Sequence, residues 1–322
     1  MEKLGLVLCG GGARGAFEVG VWEELDNLGI TKEITGFSGT SIGAVNTALF
    51  LSNSTNQQKE DIWKTFEQKD MISIKEAMQR FAAIYLLHIS SLISIPDMLI
   101  NGFFDQCKLK SLLESLVLNF QKIYKYDVFI TVTDLCVAHM YTAFIDWKTV
   151  PENEIKTYVR YSAKIPIFNG AHVSKKQLGH FIVDGGLRDF HRFFKKNSSN
   201  TPIAPLYAKG YRKFIVVYLS TQEESKEQID RENKWFRGAE ICRIFYNKLK
   251  GPLSTIAIDE KKTADRISAG RAAVKKMLIE SDNNGLIFEK IKPGNNTETI
   301  SRTLKCIQRG EKVVNGKVQY YI

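Results

Sequence analysis

Apolar residues in this chain come in short runs punctuated by glycine. Leu4-Gly5-Leu6-Val7-Leu8-Cys9 stops at Gly10-Gly11-Gly12-Ala13-Arg14-Gly15, a pattern that reads as a buried strand ending in a turn. Ala16, Val19, Gly20, Val21, Leu25 and Leu28 then recur at helical spacing, with acidic residues between them and Gly29 as a stop. Ile34–Ser38 predicts a second strand. It runs through Gly39-Thr40-Ser41-Ile42-Gly43 into an apolar helix over Ala44–Leu51. The opening is therefore strand–helix–strand–turn–helix, an α/β start with a parallel sheet.

Further along, residues 57–118 read as helical throughout. Tyr126–Asp134 is a strand with Met140–Ile145 as its partner, and Ile155–Ala163 is a helix that Pro166 stops. Phe181–Val183 is a strand ending in Asp184-Gly185-Gly186, and Phe214–Leu219 is another buried strand. Residues 226–282 read as mostly helical. Asn315-Gly316 inside 312–321 predicts a hairpin, because both residues tolerate the positive φ of a type I′ turn. The expected division is one domain over 1–285, carrying a helical and apolar insertion at about 57–118, and an extension over 286–322 that holds the hairpin.

Composition narrows the class. The chain has 322 residues, 44% apolar and 25% charged, within the range of globular proteins. Its five cysteines, at 9, 107, 136, 242 and 306, form neither a disulfide framework nor a zinc motif. No metal and no cofactor are expected. The N-terminal apolar run is too short for a signal peptide, so an intracellular, cytoplasmic location is expected. The net charge of +10 is uneven, running −4 over 1–100, +5 over 101–200 and +9 over 201–322. Such a balance suits either a solvated surface or a phosphate-rich partner, whether nucleic acid or an anionic membrane. Phe81–Pro96 has no Asp, Glu, Lys or Arg over 16 residues. It falls short of the ~20 residues a membrane span needs, and is read as a core or lid helix in preference to an interfacial one.

Two motifs carry chemistry. Gly10-x-Gly12-x-x-Gly15 follows a strand and opens a helix, as in dinucleotide sites, but the second strand does not end in the acid that would hold a ribose. It ends instead in Gly39-x-Ser41-x-Gly43, the pattern of a nucleophile elbow. There the small residues let a sharp turn lift a serine hydroxyl above the sheet edge, beside a helix N-terminus that favours negative charge. A glycine loop at the same edge offers backbone N–H groups to an oxyanion, an alternative to cradling pyrophosphate. None of the five histidines (88, 139, 172, 180 and 191) stands in a context that demands a base. Asp184, at a strand's carboxyl end before two glycines, is the acidic candidate. A turn aspartate that caps backbone amides has the same spacing.

These three motifs together resemble the patatin-like phospholipase family. Thr131–Leu135, Tyr161–Phe168 and Asn200–Leu206 are similar to further family segments, so the likeness covers about residues 4–220. The resemblance implies a three-layer α/β/α fold with a mainly parallel central sheet, followed here by a mostly helical C-terminal region and the hairpin. It implies a Ser–Asp dyad: Ser41 as nucleophile, Asp184 as general base, an acyl-enzyme on Ser41, and an oxyanion hole and substrate site from Gly10, Gly11, Gly12, Ala13, Arg14 and Gly15. Gly39 and Gly43 shape the elbow, and Gly185 and Gly186 follow the base. Arg14 would order the loop or meet a phosphate-bearing substrate. Two departures stand out: a basic, aromatic insert at 188–199, and Asn169-Gly170 where the family has proline.

The expected function is acyl-ester hydrolysis of membrane phospholipids, of phospholipase A or lysophospholipase type, with peripheral membrane association and no nucleic-acid partner. The resemblance extends to regulated, membrane-degrading effectors. An activating ligand or protein and a homo-oligomer stay open. The alternatives are a nucleotide-binding module using the glycine loop and a catalytically silent scaffold.

Overall fold

Strand β1 (Leu4–Leu8) sends Leu4, Leu6 and Leu8 to one face of a sheet and Val7 to the other, and both sets are fully buried. A strand buried on both faces lies at the centre of a helix-covered sheet. The computed structural model describes residues 3–65, 107–136, 139–163, 172–173, 180–186, 200–247, 260–282, 285–293, 312–314 and 317–321. The apolar stretch 81–96 and the insert 188–199 lie outside the described residues.

After β1 a 3-10 turn (Gly12–Gly15) leads into helix α1 (Ala16–Asn27), which Gly29 ends in the left-handed region at φ 76°. Strand β2 (Ile34–Thr40) runs through Ser41 into α2 (Ile42–Leu51). α3 (Asn56–Thr65), α4 (Cys107–Ser115) and a single turn, α5 (Phe120–Ile123), precede β3 (Asp127–Cys136) and β4 (His139–Asp146). α6 (Glu152–Ser162) returns to the sheet, followed by β5 (His172–Val173) and β6 (His180–Asp184). Then come α7 (Ala204–Ala208), β7 (Lys213–Tyr218), α8 (Lys226–Trp235) and β8 (Glu240–Phe245). α9 (Glu260–Glu280), β9 (Glu289–Lys290), β10 (Lys312–Val314) and β11 (Lys317–Tyr321) complete the chain.

The sheet order is β10-β11-β4-β3-β2-β1-β7-β8-β9, with β5 and β6 off this path. Its five central strands, β3-β2-β1-β7-β8, are parallel. The flanks are antiparallel. α1, α2, α6 and α9 cover one face of the sheet, and α7 with Phe236 covers the other, so the architecture is three-layer α/β/α.

Within 226–282, expected to be mostly helical, α8 and α9 are helices, and Glu240–Phe245 is a parallel strand, β8, that the sequence pattern did not single out; it is paired along β7. Its Ile241, Cys242 and Ile244 are buried on both faces, and a short apolar run of this kind carries no period to tell strand from helix. The predicted hairpin is present as β10–β11, and β11 adds to the sheet edge at β4, with Tyr320 opposite Phe144.

α9 lies against α1 at unusually close range. A Cβ on Gly20 would strike the carbonyl of Ile267, and one on Gly270 would strike the carbonyl of Phe17. Arg271 of α9 pairs with Glu23 of α1 at 2.6 Å and with Glu60 of α3. Among the described residues no helix is long and apolar enough to cross a membrane.

Candidate active site

Two strands meet end to end at the site. β2 pairs with the first half of β3, Gly36 opposite Asp127 through Thr40 opposite Thr131. β4 occupies the other edge of β3 along nearly its whole length. β6 then takes over the β2 edge, running the opposite way, with Asp184 opposite Val132 and His180 opposite Cys136. The carboxyl ends of β2 and β6 therefore point at each other across adjacent residues of β3. Ser41 leaves one end and Asp184 finishes the other.

Ser41 adopts φ 55° and ψ −123°, a left-handed conformation that a side-chain-bearing residue rarely takes. The flanking glycines allow it. A Cβ on Gly39 would strike the Gly43 carbonyl, and one on Gly43 would strike the Leu8 carbonyl of the neighbouring strand. Immediately after Ser41, α2 begins with its N–H dipoles directed at the turn, as Ala44 N–H donates to Ser41 O at 2.9 Å. Ser41 is half-buried.

Asp184 is 4% exposed. Its Oδ1 accepts the Gly186 N–H at 2.8 Å, and its Oδ2 is buried with no partner of ordinary hydrogen-bond geometry. Burial raises its pKa to about 6, against a hydrogen-bonding pull from Ser41 and the Gly186 amide. The Ser41 hydroxyl thus faces this carboxyl closely enough to stabilise its charge. Gly185 has no room for a side chain, since a Cβ there would strike the Thr131 carbonyl.

The glycine loop divides into two parts. Gly10, Gly11 and Gly12 are partly exposed at the sheet edge, whereas Ala13, Arg14 and Gly15 are buried. A Cβ on Gly10 would crowd Ser41 Cβ at 3.1 Å, so the loop lies directly against the elbow. Gly12 requires its lack of a side chain, with φ at 56°. Gly11 and Gly12 begin the 3-10 turn, whose first N–H groups have no acceptor inside it. The Gly10 N–H is engaged with Asn200 O at 3.4 Å, which removes it from the expected set of oxyanion donors.

Arg14 orders the loop: its Nη1 donates to Leu219 O at 2.8 Å, at the end of β7. At 7% exposure it is a structural tie, and burial corrects the other expected role of meeting a substrate phosphate. Behind the loop, Asn46 Nδ2 donates to Gly15 O at 2.9 Å and to Glu18 Oε2 at 2.7 Å, while Trp63 Nε1 donates to Asn46 Oδ1 at 2.9 Å. Complete burial pushes the Glu18 carboxyl well above the usual carboxylate range.

Sequence reasoning missed two residues that hold the site together. Asn200 clamps the loop, donating from Nδ2 to Gly10 O at 3.2 Å, and its Oδ1 stands where a Gly186 side chain would begin. Ser162, the last residue of α6, accepts the Ser41 N–H at 2.9 Å. The available signal was a polar residue in each of two stretches otherwise read for their likeness to the family.

A family model described as patatin-like phospholipase matches residues 6–194, which include all three motifs. The chain belongs to the patatin-like phospholipase family. Among curated proteins, the lysophospholipase nte1 of Aspergillus terreus is 57% identical over 49 residues, which is 15% of this chain and 3% of that protein. This chain therefore spans a small fraction of the curated relative it matches. Among solved structures, VipD of Legionella pneumophila shares 14% identity at a TM-score of 0.41, over 98% of this chain and 76% of VipD. ExoU, in its heterodimeric complex with SpcU from the type III secretion system of Pseudomonas aeruginosa, shares 13% identity at 0.45, over 96% of this chain and 58% of that one. The patatin-like assignment rests on the family match. The layers and strand order rest on this chain's own topology.

Proposed function

We propose that this chain hydrolyses carboxylic esters of membrane phospholipids through an acyl-enzyme on Ser41, with Asp184 as general base. The observation that carries the reading is the meeting of β2 and β6 on one edge of β3, which sets a strained serine against a buried carboxyl. In the first step Asp184 takes the Ser41 hydroxyl proton as Oγ attacks the ester carbonyl. The N–H groups of Gly11 and Gly12, with the N-terminus of α2, stabilise the oxyanion. On collapse, Asp184 returns its proton to the departing alcohol, and Ser41 retains the acyl group. Asp184 then removes a proton from water, which attacks the acyl-enzyme. Collapse frees the fatty acid, and the proton goes back to Ser41 Oγ. A carboxyl held at about 6 is largely ionised at neutral pH, yet basic enough to accept the proton.

The nucleotide-binding alternative requires the glycine loop to face a pyrophosphate, and here Gly10 packs on Ser41 and Asn200. The silent-scaffold alternative is disfavoured by both dyad residues standing together. The net charge of +10 suits an anionic lipid surface, and peripheral membrane association is part of the proposal.

The test is mass-spectrometric profiling of lipids released from mixed phospholipid vesicles by wild type, Ser41→Ala and Asp184→Asn. Fatty acid is expected from wild type and from neither variant, and the lysolipid isomer identifies the ester position. A wild type that is silent on vesicles yet labelled at Ser41 by a fluorophosphonate would place an activator between them. Release that survives Ser41→Ala would overturn the mechanism.

A further inference from the structure

The handover from β2 to β6 falls within the length of β3. The pairing with β2 ends at Thr131, that with β6 begins at Val132, and the Thr131 carbonyl stands at the junction. The side chain of Ser162 reaches this junction, donating from Oγ to Thr131 O at 2.6 Å. The same Oγ accepts the N–H of Ser41 at 2.9 Å. The Ser162 backbone carbonyl accepts the N–H of Gly185 at 3.3 Å, one residue beyond Asp184. One fully buried residue thus holds the end of β2, the end of β6 and the strand that spaces them.

We infer that Ser162 is a positioning residue for the hydrolytic site, setting the separation of Ser41 from Asp184 by bridging the two strand ends that carry them. The inference rests on the Ser41–Asp184 reading above. Ser162 touches no reacting atom in that scheme. Its hydroxyl supplies the acceptor for the amide of the most strained backbone residue in the site. Without it, the Ser41 N–H and the Thr131 carbonyl both lose the group that bridges them, and the left-handed turn loses the bond that opposes its relaxation. The backbone bond to Gly185 survives truncation of the side chain, so Asp184 stays anchored while Ser41 shifts. Misplacement of this kind acts on the rate and leaves substrate affinity alone.

The experiment is the pH dependence of fluorophosphonate labelling at Ser41 in the full chain, for wild type, Ser162→Ala and Ser162→Thr. The labelling rate constant reports the folded molecules, and the labelling amplitude reports how much of the protein is folded. A variant that folds poorly therefore loses amplitude without mimicking the expected result. Ser162→Ala is expected to label about 10- to 100-fold more slowly at pH 8. Its acid midpoint should also move above about 6, because a displaced Ser41 no longer lowers the pKa of Asp184. Ser162→Thr keeps the hydroxyl and should recover most of the rate constant in the molecules that fold. With a soluble p-nitrophenyl ester, kcat should fall in Ser162→Ala with KM unchanged. A Ser162→Ala rate constant within twofold of wild type, with an unmoved midpoint, would overturn the inference and leave the dyad intact. A wild type that fails to label at Ser41 would overturn the dyad and this inference together.

Discussion

Replacing Asp184 by Asn separates what burial costs the fold from what the carboxyl does for the reaction. Burial raises this group from 3.8 to about 6, so the folded chain holds its proton more tightly than the unfolded chain does. Between those values the native state binds more protons than the unfolded state, and stability falls as pH rises through the window. By about pH 8 the charge is fully formed. Roughly two pH units at about 1.4 kcal/mol each put its cost at about 3 kcal/mol. An amide at this position keeps an acceptor for the Gly186 N–H and carries no charge. The stability of Asp184→Asn relative to wild type should therefore grow by about 2.5 kcal/mol between pH 4 and pH 8. Urea denaturation followed by tryptophan fluorescence at each pH measures it. The raised carboxyls of Glu18 and Glu232 titrate alike in both proteins and cancel in the difference. Hydrolysis of a soluble ester by wild type should fall about tenfold per pH unit below about pH 6, with the variant inactive throughout. A stability difference constant to within about 1 kcal/mol from pH 4 to pH 8 would refute the buried-charge argument. A wild-type rate that stays flat down to pH 5 would show that some other group is the base.

Three more outcomes follow from the same geometry. Ser41→Gly relieves a positive φ, so it should unfold a few degrees higher, by about 1 kcal/mol, while losing all fluorophosphonate labelling. Arg14→Ala removes the bond to Leu219 O, and should cost about 1.5–3 kcal/mol in denaturant titration and slow labelling of Ser41 about tenfold as the glycine loop loosens. Gly270→Ala should lower stability by about 2 kcal/mol or more, because its Cβ meets the Phe17 carbonyl; the labelling rate constant of the molecules that do fold should match wild type.

Much of the candidate site was legible because its signals are local. A strand that ends in Gly-x-Ser-x-Gly and runs into an apolar helix can hardly be anything other than a tight strand–turn–helix. The structure supplies the steric reason, with the Gly39 and Gly43 positions each lying against a backbone carbonyl. Asp184 was singled out as the acidic candidate by an argument that only half applies. The rule places sites at the carboxyl ends of parallel strands, and β6 is antiparallel to β3. It reaches the site because it approaches Ser41 from the opposite direction. Within the expected oxyanion loop, the run Gly10–Gly15 does not reveal that Ala13, Arg14 and Gly15 are buried or that the Gly10 N–H donates to Asn200 O.

The sequence by itself determined the elements whose period or turn chemistry is written within a dozen residues: β1, α1, β2, the elbow, the paired strands β10 and β11, and the strand before Asp184. Tertiary structure decided which strand edges were free to pair. It made Glu240–Phe245 a central strand, because β7 offered an edge to a segment with no period of its own. It brought Gly20 and Gly270 together across 250 residues, where only two bare backbones fit. It also set β2 and β6 head to head on β3, with the Thr131 carbonyl at the junction, where Ser162 donates to it. Pairing of this kind is settled by the unmet hydrogen bonds of distant segments, and no local pattern encodes where those will be.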